Sequence, residues 1–103
     1  MSTEKTIIEI DSDLQDLIPH FVDNRKRDVI SLEELIAKND RLAIAHLAHK
    51  IKGAAAGYGF KHLSALAATI EEANQRDDAK TIAGCTAEMK QHLANIEINY
   101  VKM

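Results

Sequence analysis

Ile44-Ala45-His46-Leu47-Ala48-His49-Lys50-Ile51-Lys52-Gly53-Ala54-Ala55-Ala56-Gly57-Tyr58-Gly59-Phe60 is the stretch on which the reading of this chain turns. Wound as an α-helix at about 100° per residue, it gathers Ile44, Leu47, Ala48, Ile51, Ala54, Ala55 and Tyr58 on one stripe. That stripe must be the buried one, because it holds nearly all the large apolar side chains. His49 projects ~160° from its centre and is therefore offered to solvent. Its neighbours on the exposed face are Leu42, Ala45, Gly53 and Ala56, with His46 one turn back and Lys52 one turn on. A merely solvated face would carry Glu, Lys and Gln there.

Gly53 sharpens the contrast, since glycine inside a helix costs about 1 kcal/mol relative to alanine and needs a reason. One turn after an exposed histidine, a missing side chain opens the approach to the imidazole. Gly57 lies nearer the boundary of the buried stripe, where a small residue also favours close helix contact. Imidazole is a competent nucleophile near neutral pH, where a large neutral fraction is available without a helper base. Lys52, on the adjoining strip, can bring an ammonium toward an anion carried on that ring. Alone it reads as a solubilising lysine; beside His49 and Gly53 it reads as part of a site.

The string His49-x-Ile51-Lys52-Gly53-Ala54, followed by a small-residue run and Gly59 before a second amphipathic helix, resembles the histidine-containing phosphotransfer (HPt) domain of bacterial two-component phosphorelays. The family pattern is His-x-Leu-Lys-Gly-Ser/Ala, with Ile51 standing in for leucine and Ala54 for the frequent serine. The close match covers about residues 45 to 70, and the remainder agrees in length and helix layout. The resemblance implies that His49 is the phosphorylated nucleophile, acting through Nε2, and that Lys52 stabilises phosphoryl charge. It implies as partners the receiver domains of a hybrid sensor histidine kinase and of a response regulator, which supply Mg²⁺ themselves. A carrier of this kind has no autonomous kinase activity and binds no nucleotide, metal or other cofactor of its own. Leu42, Ala45, His46, Gly53, Ala56 and Gly57 would form the receiver docking face.

The 103 residues leave room for one domain over 1–103, with a leader at about 1–10, and for no second catalytic module. A net charge of -3 argues against a nucleic-acid footprint and leaves proteins as the default partners. Among scattered cations only Arg25-Lys26-Arg27 cluster, which reads as a solvated helix face. Cys85 is the single cysteine, so no intramolecular disulfide forms, and a reducing cytoplasm is the natural compartment. It reads as a packing residue. With no signal-peptide core and no long apolar run, the chain reads as a soluble monomer without a membrane role. The Met1 start with a polar leader favours a free-standing protein.

Ser2 to Ile10 lacks a helical period and is expected to lie extended, packing through Ile7, Ile8 and Ile10, before a cap at Asp11 to Asp13. A first short helix is expected through Leu14, Leu17 and Ile18. Pro19 belongs in the first turn of a long helix that continues through Phe21, Val22, Val29, Leu32 and Ile36 to about Lys38. Asn39-Asp40 stops it, and Asp40 caps the histidine-bearing helix, which runs to about Gly57. A third helix, buried through Phe60, Leu63, Leu66, Ala67 and Ile70, ends near Gln75, and Arg76-Asp77-Asp78 make the next turn and cap. Ile82, Thr86, Met89, Leu93, Ile96 and Tyr100 repeat at bundle spacing, so the last helix is expected to run nearly to the terminus. The expected fold is all-α: an up-down-up-down four-helix bundle with a short extra N-terminal helix.

Five histidines invite a metal hypothesis, but no Glu-x-x-His occurs, and His46 with His49 would need two further ligands. The stronger rival is a non-catalytic helical protein-interaction module, using the modest apolar patch of Leu42, Ala45 and Ala56. His20, His62 and His92 read as partly exposed helix residues in either case.

Overall fold

The structure, a computed structural model, describes residues 5–103. Four helices, α1 (Ile18–Lys38), α2 (Arg41–Gly57), α3 (Lys61–Gln75) and α4 (Ala79–Asn95), run up, down, up and down. Each packs on the next, and α1 also packs on α4, so the ring closes. Its centre is apolar: Leu32 of α1, Ile51 of α2, Leu63 and Ile70 of α3 and Met89 of α4 are fully buried.

The three helix–helix corners share one construction. Asn39, Gly59 and Asp77 adopt positive φ at 55°, 87° and 58°, and the residue after each, Asp40, Phe60 or Asp78, is the N-cap of the next helix. At each corner paired backbone bonds close the preceding helix: Asp40 N to Leu35 O, Phe60 N to Ala55 O and Asp78 N to Ala73 O complete the wider turn. Asp40 Oδ1 accepts from Ala43 N and Asp78 Oδ1 from Thr81 N, as the sequence leads one to expect of cap residues. Phe60 has no side chain to cap with and is instead wholly buried, stacked 4.7 Å from Phe21.

Both ends of the chain depart from the all-α expectation. Thr6–Asp11 forms a strand, β1, paired in parallel with β2, Ile96–Val101, with Thr6 opposite Ile96 and Asp11 opposite Val101. The last helix therefore stops at Asn95. Ile96 and Tyr100 fit a helix stripe, but a spacing of four is also even, so both lie on one face of a strand as well. β-branched Ile96, Ile98 and Val101 favour the extended form. Ile8 and Ile10 turn toward the bundle while Ile7 turns away and is 63% exposed. The part of the leader before Lys5 lies outside the described residues.

The short extra N-terminal helix is not formed. Ser12–Leu14 makes a single 3₁₀ turn, closed by Asp11 Oδ1 accepting from Asp13 N, and α1 starts at Ile18 with Pro19 in its first turn. Aspartate and serine bond their own neighbouring backbone more readily than they propagate a helix.

Two side chains are more buried than the sequence suggests. Arg25 does not share the solvated face of Lys26 and Arg27: it lies over the Phe21 ring and donates from Nε to Asp28 Oδ2 at 2.8 Å. Lys50 of α2 reaches the other oxygen of Asp28 at 3.5 Å, so the buried carboxylate meets two cations and links α1 to α2. His92 is buried on α4, its ring edge-on to His62 at 4.8 Å, and its Nε2 has no partner among the described residues.

Burial, then the neighbouring His62, pushes the His92 pKa down from its ordinary value of 6.5, while Glu88 opposes weakly. The folded state thus resists protonation that the unfolded chain accepts, and stability is lost as pH falls from about 6.5 toward the lowered folded value. Thermal melts between pH 8 and 5 should show a steeper acid decline for the native chain than for His92→Leu, and parallel curves would remove His92 as the cause.

Candidate functional site

α2 and α3 form the most extensive helix pair, an antiparallel hairpin turning at Tyr58–Phe60. It is pinned at both ends. Near the open end Asn74 Nδ2 donates to Arg41 O at 2.9 Å, and the Arg41 guanidinium donates back to Asn74 O. Near the corner Ser64 Oγ donates to Lys52 O at 3.0 Å. Such a hairpin sets residues equally far from the corner opposite one another.

His49 stands between these pins with its side chain 72% exposed. Across the groove Glu71 of α3 places Oε2 3.3 Å from His49 Nδ1 and Oε1 2.7 Å from Lys52 Nζ. One carboxylate thus meets both His49 and Lys52, one through each oxygen. The close Lys52 ammonium holds the Glu71 carboxyl below the usual range; desolvation opposes it, and the contact with His49 adds a smaller lowering. Glu71 is an acceptor, so a hydrogen bond to it from the ring requires the proton on Nδ1, the tautomer that leaves the lone pair on Nε2.

The rest of the expected face is laid out around this ring. His46, Gly53, Ala56 and Gly57 are exposed, Ala45 is half-buried, and Leu42 is 70% exposed at the start of α2. A Cβ added at Gly53 or Gly57 would meet nothing within 4 Å, so neither glycine serves close helix contact. Lys52 is partly covered, with a side chain 38% exposed.

Glu71 is the member that sequence reasoning missed. It borders the buried stripe of α3 and looks like any solvated glutamate. Its signal was the hairpin register, which sets the residues far beyond the Gly59 corner against those equally far before it.

Elsewhere, Cys85 is half-buried, and burial with the nearby Glu88 pushes its thiol pKa up, in line with a packing role. Among the described residues no group of three His, Cys, Asp or Glu could hold a metal ion. No helix among them is long and apolar enough to cross a membrane.

A small antiparallel bundle that displays His49, held by Glu71, on a pinned helical hairpin defines the class. The Hpt domain family matches residues 11–98, from the end of β1 to the middle of β2, and the chain belongs to that family. Hpt domains are phosphocarrier modules that act in histidine phosphotransfer through phosphorelays and interact with receiver domains. No curated protein and no solved structure gives a match.

Removing the acceptor should release the ring. In Glu71→Ala, ¹⁵N shifts of His49 should move from predominantly Nδ1–H toward a mixed tautomer, with the fold intact because the lost contacts are surface ones worth about 0–1 kcal/mol. An unchanged tautomer would show that Glu71 does not set it.

Proposed function

We propose that the chain is a phosphorelay intermediate in which His49 takes a phosphoryl group from the aspartyl phosphate of one receiver domain and gives it to the aspartate of another. The observation that carries this is the exposed His49 ring held through Nδ1 by Glu71, which leaves Nε2 outside that contact. In the forward step the Nε2 lone pair forms an N–P bond as the bond from phosphorus to the aspartyl oxygen breaks, and the carboxylate leaves with that electron pair. The proton on Nδ1 stays in place, stabilised by Glu71 as the ring becomes cationic. Transfer to the second aspartate reverses these changes, so no proton need be gained or lost.

Lys52 is the charge-stabilising group. Its ammonium, held 2.7 Å from Glu71, lies one helical turn from the ring that receives the phosphoryl oxygens. Phosphoryl transfer depends mainly on positioning and electrostatic stabilisation, which suits a rigid helix with one nucleophile. The receiver supplies Mg²⁺ and the acidic pocket, and the carrier itself brings no nucleotide, metal or kinase activity. Leu42, Ala45, His46, Gly53, Ala56 and Gly57 form the docking face, the donor being a hybrid sensor histidine kinase and the acceptor a response regulator. A single chain holds the complete site, and the compartment is the cytoplasm.

Incubation with a phosphorylated receiver tests the nucleophile. His49→Gln should fold and accept no phosphoryl group, whereas His46→Gln should label as the native chain does; labelling of the first or its loss in the second would refute the assignment. An inert interaction module would label in neither the native nor the substituted form.

Gly53 tests the face. Because a Cβ there enters open space, Gly53→Gln should leave the melting temperature unchanged or raised, as the glycine penalty of about 1 kcal/mol is removed. Transfer should slow at least about tenfold, since the new side chain intrudes where the receiver must align. A native rate at saturating receiver would place docking elsewhere.

A further inference from the structure

The two-stranded parallel sheet has open edges. Apart from the β1–β2 ladder, no backbone hydrogen bond joins residues 5–11 to another element among the described residues. Open grooves run beside β1, one toward Gly59 and His62 and another toward Gly57. An isolated edge of this kind is a template for another strand, and two strands alone make a marginal sheet.

The outward side chains of β1 say which strand fits. Lys5, immediately before the strand, Ile7 and Glu9 alternate on the outer face and are all exposed, while Ile8 and Ile10 turn inward. A second copy approaching about a two-fold axis must pair antiparallel. With the axis at Ile7, Ile7 meets its own counterpart, Lys5 lies opposite the second copy's Glu9, and Glu9 opposite its Lys5. On the outer face each cross-strand neighbour is then complementary. Shifting the axis to Ile8 sets Ile7 against Glu9 and forfeits the apolar contact. The outer face of β2 offers no equivalent, because Glu97, Asn99 and Val101 form neither a charge pair nor an apolar centre under the same operation.

We propose that β1 is a self-association edge, through which two copies join by antiparallel β1–β1 pairing centred on Ile7 into a four-stranded sheet. The contact is small, so the dimer is a weak, concentration-dependent one that adds to the monomeric unit expected from the sequence. It requires neither His49 nor any phosphoryl chemistry, and stands or falls separately from the proposed function.

Sedimentation equilibrium of the full chain, with protein raised to about 1 mM, should show a monomer–dimer equilibrium. Ile7→Lys should abolish it. Lys5→Glu and Glu9→Lys should each weaken it about tenfold, since attraction becomes repulsion at two symmetry-related pairs, and the two combined should restore it. Circular dichroism melts of each variant should match the native chain, because the substituted side chains are exposed. A chain that stays monomeric at every concentration, or a dimer that survives Ile7→Lys or is not rescued by the double reversal, would overturn the proposal.

Discussion

The site depends on one backbone constraint, the left-handed turn at Gly59. Its φ of 87° lets α2 end and α3 begin within a few residues, so the two helices return side by side as an antiparallel hairpin. The same residue touches the sheet: a Cβ there would lie 3.5 Å from Ile10 Cδ1. Any other residue would have to bear the positive φ, and a different turn would shift the register that sets His49 against Glu71. The geometry of the site is thus fixed by a corner that makes no contact with the imidazole itself.

The site's electrostatics serve orientation more than stability. Lys52 and Glu71 keep 38% and 22% of their side chains exposed, so water screens their attraction and the pair contributes little to folding. The buried Arg25–Asp28 pair, which the exposed Lys50 reaches from α2, is the contrasting case. There the carboxylate is almost wholly enclosed, and leaving it without its cations would cost far more than the pair gains over apolar residues. It ties α1 to α2 one residue along from His49, which steadies the helix that carries the ring.

How much of this was legible in the sequence follows from the range of each interaction. The α2 stripe, the Asp40 and Asp78 caps and the exposure of His49 and Gly53 come from periodicity and local chemistry, which a sequence displays directly. Ile96 and Tyr100 were ambiguous because a four-residue spacing satisfies both a helix stripe and a strand face. Only pairing with β1, at the opposite end of the chain, makes the extended form worthwhile. Arg25 shows a second limit: in a run of cations nothing marks the one whose helix angle turns it toward Phe21 and Asp28. Glu71 shows a third, since its role exists only across the hairpin and its residue type is ordinary for a helix surface.

A phosphoryl group on Nε2 would change the balance that the unmodified site shows. Before transfer the Lys52 ammonium and the Nδ1 side of the His49 ring both meet Glu71, one at each carboxylate oxygen. Afterward the phosphoryl oxygens compete for Lys52, whose flexible stem and partial exposure let the ammonium swing without disturbing the helix. Glu71 would lose that partner but keep Nδ1–H, now on a cationic ring and a stronger donor than before. Attraction lost on one side of the carboxylate is thereby regained on the other. On the proposed reading, Glu71 is the fixed point about which charge is redistributed, and Lys52 is the part that moves. That division of labour suits a glutamate better than a neutral amide: a carboxylate facing a ring that gains positive charge adds an ion–ion attraction that an amide dipole lacks.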